Sequence, residues 1–170
     1  MNMILHKKMH KKLLVFGILF CVISCSQDEG ITLYKEMVRE GLSSTPVVFQ
    51  VSEEAMKPNR KNVFIRIQND NSYPFTNIFL IATLTAGDKK IVQDTLEFAM
   101  AAPDGTWLGS GFNEVKESKL WWKEGVLFPM ERPVVIKISQ AMRNNGKANG
   151  VVKLEGIISL GISIEDQLEK

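Results

Sequence analysis

The sequence predicts an all-β fold, an antiparallel β-sandwich of jelly-roll or Ig-like type with seven to eight strands. Three observations carry that expectation. Apolar and polar residues alternate over short runs, most cleanly where Ile158, Leu160, Ile162 and Ile164 interleave with Ser159, Gly161, Ser163 and Glu165. Clusters of Gly, Pro, Asn and Asp separate the runs, and no helical period is interleaved with them as βαβ units would require.

In chain order, Val47, Phe49 and Val51 give the first alternating run, and Lys57-Pro58-Asn59-Arg60 breaks it. Val63, Ile65 and Ile67 then share one face, with Phe64, Arg66 and Gln68 on the other. Asn69 to Pro74 is dense in residues that hydrogen-bond their own backbone or fix φ, which predicts a loop. Ile78 to Leu84 is a more continuous apolar run, expected of a strand covered on both sides, and Gly87-Asp88-Lys89-Lys90 turns it round. Leu96, Phe98 and Met100 follow on one face, stopped by Pro103-Asp104-Gly105. Thr106 to Phe112 reads as a tight loop anchored by Trp107 and Phe112, and Leu120-Trp121-Trp122 opens another apolar piece that Val126-Leu127-Phe128-Pro129 continues. Val134, Ile136 and Ile138 make a strand, and Gln140 to Arg143 a helical turn before a Gly- and Asn-rich loop. Before all of these, Ile31 to Arg39 fits a short helix or an irregular segment, ended by turn residues from Gly41 to Pro46.

The first 25 residues decide where the chain resides. Lys7, Lys8, Lys11 and Lys12 precede the apolar run Leu13 to Cys25, which closes on Val22-Ile23-Ser24-Cys25. That arrangement resembles a bacterial lipoprotein signal peptide and its lipobox, and the run is short of the roughly 20 apolar residues a spanning helix needs. The expected organisation is a cleaved leader at 1–24, a lipid-anchored tether at 25–45, the β-sandwich at 46–166 and a short tail at 167–170. Cys25 is the expected lipidation site, and several acyl chains of palmitate type would hold the chain on a membrane where one alone would be marginal. Ser26 to Gly30 resembles the acidic export signal of some surface-displayed lipoproteins, or serves simply as a solvated tether.

Composition removes whole classes of function. The leader takes four lysines and no acid, so the formal charge moves from +2 to −2 on its removal. Without a net positive field or a Lys/Arg stripe, nucleic acid is not an expected partner. Both histidines, His6 and His10, lie in the leader, as does Cys21, and Cys25 is the anchor. The remaining chain therefore has no imidazole or free thiol for a Ser/His or Cys/His hydrolase or an ordinary zinc site. The expectation is a protein that is not an enzyme, with no cofactor, no metal and no catalytic residues. Asp70, Asn71, Asp88, Asp94 and Asp104 match no EF-hand spacing, and turns recruit such residues anyway. Glu97 paired with Glu114 or Glu117 has no spacing that supports glycosidase chemistry.

Six separated segments, Asn69 to Leu80, Asp94 to Phe112, Lys119 to Glu124, Leu127 to Pro129, Ile138 to Arg143 and Leu154 to Glu165, closely resemble the gliding motility lipoprotein H (GldH) family of Bacteroidetes. The resemblance runs from about Val47 to Glu165 in collinear order and includes the lipobox. It implies an outer-membrane lipoprotein that acts with the gliding apparatus and type IX secretion machinery, has other lipoproteins of that apparatus as partners, and catalyses no reaction. It supplies one residue role, lipidation at Cys25.

The candidate partner surface is the aromatic and turn cluster Tyr73, Phe75, Asp104, Gly105, Trp107, Trp121 and Trp122. Loop aromatics are typical interface anchors, and adjacent tryptophans on a strand point to opposite faces. The plainer alternative is that Trp107 and one of the pair plug the ends of the sandwich. A carbohydrate-binding envelope lipoprotein would use the same rings as flat platforms, and coplanar exposed rings would distinguish it.

Overall fold

The computed structural model describes residues 30–37, 41–144 and 146–167; the leader and Cys25 lie outside them. Ten strands follow one another: β1 Gly30–Glu36, β2 Leu42–Ser43, β3 Val47–Gln50, β4 Lys61–Asn69, β5 Asn77–Ala86, β6 Lys89–Ala99, β7 Lys116–Val126, β8 Val134–Gln140, β9 Lys153–Leu154 and β10 Ile157–Asp166. β1-β10-β4-β7 form one four-stranded sheet, β3-β8-β5-β6 the other, and β2 and β9 a small ribbon. With that ribbon set aside, the first long strand pairs with the last (β1 with β10), the second with the seventh (β3 with β8), the third with the sixth (β4 with β7) and the fourth with the fifth (β5 with β6), all antiparallel. This nesting is one long hairpin rolled up on itself, and it settles the sandwich as a jelly roll.

The alternation seen in the sequence sets the faces. Ile65 and Ile67 of β4, Leu160 and Ile162 of β10, Ile136 and Ile138 of β8 and Ile78, Leu80 and Ala82 of β5 are all fully buried between the sheets. Register keeps them in phase: Ile65 lies opposite Ile162 on one side and Leu120 on the other. Gly87, at φ 52, takes the first position of the two-residue turn joining β5 to β6, a conformation an L side chain adopts only under strain. Gly156, at φ 76, turns β9 into β10 so close to the 70–76 loop that a Cβ would lie 2.1 Å from the Tyr73 nitrogen.

Two sequence expectations differ from the structure. Residues 30–36, expected within the tether, form the edge strand β1, paired with residues 159–165 of β10. Its inward residues Ile31 and Leu33 are only half-buried, so the apolar signal there is weak. Gln140 ends β8 in place of a helical turn, because its Nε2 donates to the Val151 carbonyl and its Oε1 accepts from the Met142 N–H. The outward residues Phe79, Ile81 and Thr83 of β5 are half-buried.

The sandwich has two distinct ends. Gly30, the 51–60 segment, the Gly87-Asp88 turn, the 127–133 loop and Asp166 share the proximal end, where the chain emerges from the side of Cys25. The 70–76, 100–115 and 141–156 loops share the distal end.

Candidate functional site

Tyr73, Phe75 and Trp107 meet at the distal end. The Tyr73 ring packs edge-on to Phe75 at 5.8 Å and tilted to Trp107 at 6.2 Å, and its hydroxyl donates to the Asn77 carbonyl at 2.8 Å. Trp107 Nε1 donates to Asn71 Oδ1 at 3.1 Å. Tyr73 is buried while Phe75 and Trp107 are partly so, and together they close that end of the core. Asp104 and Gly105 lie just beyond, on an exposed turn that Asp104 holds by accepting the Thr106 N–H at 2.9 Å. Burial of Tyr73 raises its hydroxyl pKa well above the ordinary value.

The adjacent tryptophans of β7 part ways, as the pleat requires. Trp122 points inward, 6% exposed, and its Nε1 donates across to Asp94 Oδ2 on β6 at 2.9 Å, stitching the sheets together. Burial pushes the Asp94 carboxyl up, but the Trp122 and Lys123 hydrogen bonds outweigh it and hold the group below its usual value. Trp121 faces outward, 48% exposed, with its ring perpendicular to Phe64 at 4.8 Å.

Around Trp121 the outer face of the β1-β10-β4-β7 sheet carries the densest side-chain network among the described residues. Register places Phe64, Arg66 and Gln68 of β4 beside Trp121, Lys119 and Glu117 of β7. Arg66 Nη1 donates to Glu117 Oε1 at 2.8 Å, and Gln68 Nε2 donates to Glu117 Oε2 at 3.1 Å. Lys119 pairs with Glu165 at 2.7 Å while its ammonium sits 4.1 Å from the Phe64 ring centroid, a cation–π geometry. From β1, Tyr34 reaches across β10 and donates to Glu117 Oε1 at 2.7 Å. Gly161 makes that crossing possible, since a Cβ there would stand 2.7 Å from the Tyr34 ring.

Electrostatics lock this face. Burial raises the pKa values of Glu117 and Glu165, but hydrogen bonds and positive neighbours more than reverse it, so both stay below the ordinary carboxylate range. For Glu117 these are Gln68, Tyr34 and Arg66; for Glu165 they are Lys119, Ser163 and Arg66. Burial, the hydrogen bond to Glu117 and that carboxylate's charge push Tyr34 up to about 12. The result is a fixed display of Trp, Tyr and Arg, the side chains enriched at the energetic centres of protein interfaces, with Lys119 held among them by Glu165.

Sequence reasoning named Trp121 but missed its neighbours, because an Arg, a Glu and a Tyr far apart in the chain become one cluster only through strand register. Phe112, expected as a loop anchor, is placed differently. Gly109 and Gly111 pack backbone to backbone against residues 115–117 and turn Phe112 outward, 94% exposed, with Leu108 59% exposed. Asp70 caps its own turn by accepting from Ser72, Glu97 accepts from Asn77, and among the described residues no group of three or more His, Cys, Asp or Glu is gathered as a metal site would be.

Residues 41–164 match the model of the GldH lipoprotein family. The chain is 39% identical over 153 residues to a gliding motility lipoprotein GldH homolog of Christiangramia forsetii, covering 89% of this chain and 94% of that protein. It is 38% identical over 147 residues to the gliding motility lipoprotein GldH of Flavobacterium johnsoniae, covering 86% of this chain and 90% of that one. No solved structure matches it significantly.

Proposed function

Since the chain belongs to the GldH lipoprotein family, we propose that it is a lipid-anchored, non-catalytic component of the gliding motility and type IX secretion apparatus of the outer membrane, acting by binding other proteins of that apparatus. Cys25 carries the acyl chains in this reading. The observation that supports binding is the ordered aromatic and charged face built on Trp121, Phe64, Lys119, Arg66, Glu117 and Tyr34. A half-exposed tryptophan set against a fixed ion-pair network is pre-organised for a protein partner, so little ordering cost remains at association. Tyr73, Phe75, Trp107 and Trp122 serve mainly to close the core, and the exposed turn at Asp104 and Gly105 with Phe112 extends the contact surface at the distal end. Sugar platforms need open, coplanar rings, and Trp121 meets Phe64 at 89°.

Complementation of a deletion strain tests the proposal. The wild-type gene is expected to restore surface spreading or export of a type IX secretion cargo, whereas Cys25→Ala and the pair Trp121→Ala with Arg66→Ala are expected not to, at unchanged protein level. Full restoration by the unanchored chain, or by the altered face, contradicts it.

A further inference from the structure

An apolar cavity of about 230 Å³ opens at the proximal end, between the edge strands β6 and β7. Val63, Leu84, Val92, Trp122, Phe128 and Ile136 wall it. Its mouth carries Ile91, 47% exposed, and Leu127, 57% exposed, with Met130 86% exposed on the same loop. The polar side chain in the wall, Lys123, is turned to Asp94 at 3.0 Å, so it brings no free charge into the cavity. Apolar cavities of about 150 Å³ already stay dry and take up benzene, so a larger one open to its surroundings suits a hydrocarbon segment.

The position of this cavity names its occupant. Gly30 begins β1 beside Glu165 and, through β10, Asn62; Val126 lies opposite Lys61 on the other side of β4. Gly30 and the cavity mouth are therefore on the same end, three strand spacings or roughly 14 Å apart. Cys25 precedes Gly30 by five residues, a reach of roughly 17 Å at full extension. A lipid anchor on Cys25 thus holds this end, with its exposed Leu127, Met130 and Ile91, at the bilayer surface.

We propose that the cavity is an acyl-chain site in which one hydrocarbon tail of a bilayer phospholipid enters between β6 and β7, fixing the sandwich upright with its distal loops away from the membrane. The placement of the mouth at the membrane rests on the lipid-anchor reading; the affinity of the cavity for hydrocarbon does not. The two are separable in experiment. In a Trp107→Phe/Trp121→Phe background, Trp122 is the remaining tryptophan and reports from the cavity wall. With the Cys25→Ala chain, 9,10-dibromostearic acid is expected to quench Trp122 saturably, and Leu127→Asp or Ile91→Asp at the exposed mouth to weaken that quenching about tenfold. Absence of saturable quenching overturns the site whatever holds the chain to the membrane. With the acylated chain in phosphatidylethanolamine and phosphatidylglycerol vesicles whose tails carry bromine, Trp122 is expected to be quenched and Trp107, kept instead in a Trp121→Phe/Trp122→Phe chain, not. Quenching by the free acid but not by these vesicles overturns a bilayer tail as the occupant. Failure of the acylated chain to float with any vesicle contradicts the anchor alone.

Discussion

Two neighbouring tryptophans show how much a single register position decides. Trp122→Ala removes a buried ring and the hydrogen bond that joins β7 to Asp94, and is expected to cost about 3–5 kcal/mol in a denaturant titration. Trp121→Ala removes a ring that is half in solvent, and is expected to cost about 1 kcal/mol or less. Equal costs would mean that the two rings are not on opposite faces. That the rings point apart was legible in the sequence, since adjacent strand residues must do so; which one faces the core follows only from strand parity, with Trp122 in phase with Leu120 and Trp121 in phase with Lys119. The tyrosines make a second test at this scale. The chain has two, Tyr34 and Tyr73, and both are held above the usual value of 10.0. A raised phenol contributes stability that is complete below pH 10 and lost as pH climbs toward and beyond about 12, where the folded groups ionise. Tyrosinate absorbance is therefore expected to be absent from the native protein at pH 10 to 11 and to appear together with unfolding. Reversible ionisation near pH 10 without loss of the fold would contradict the burial that raises both hydroxyls.

At the scale of elements, β1 is held to β10 by its ladder and to β7 by the reach of Tyr34 to Glu117 over Gly161. The strand escaped sequence reasoning because an edge strand buries little. Ile31 and Leu33 do alternate with Thr32 and Tyr34, but Met37 and Val38 immediately after them blur the period. Strands in the middle of the sheets, such as Val134–Gln140 and Ile157–Asp166, were plain because Val134, Ile136 and Ile138 in the one and Leu160, Ile162 and Ile164 in the other put a buried apolar residue at every second position. The network on this sheet also dictates an acid response. Glu117 and Glu165 lie below their unfolded value of 4.5, so the unfolded chain takes up their protons first as pH falls. Their contribution is present above about pH 5 and is lost as pH drops through the depressed folded values. The Glu117→Gln/Glu165→Gln variant is expected to be less stable than wild type at pH 7, with a flatter decline below pH 5, so that the two stability curves converge as the pH falls further. Parallel curves would show that these carboxylates titrate alike in the folded and unfolded chain.

The whole molecule is a jelly roll with a polarity that no single segment reveals. Fold class was readable from alternation, but the mirror-order pairing that separates a jelly roll from an Ig-like sandwich lies in which strands meet, and those contacts are long-range. The same holds for the candidate surface: the aromatic residues were visible, whereas Arg66, Glu117 and Tyr34 gather round Trp121 only when β1, β4 and β7 share a sheet. In the proposed reading the proximal end is the anchored end, and the sheet face with its distal loops is what a partner reaches. The most direct test is photo-crosslinking in living cells from a reactive residue placed at position 121, compared with one at Lys137 on the outer face of the opposite sheet. Position 121 is expected to capture a lipoprotein of the secretion and gliding apparatus, and position 137 to capture none. Equal capture from both faces, or none from position 121 in a strain that still secretes and glides, would contradict the proposed reading.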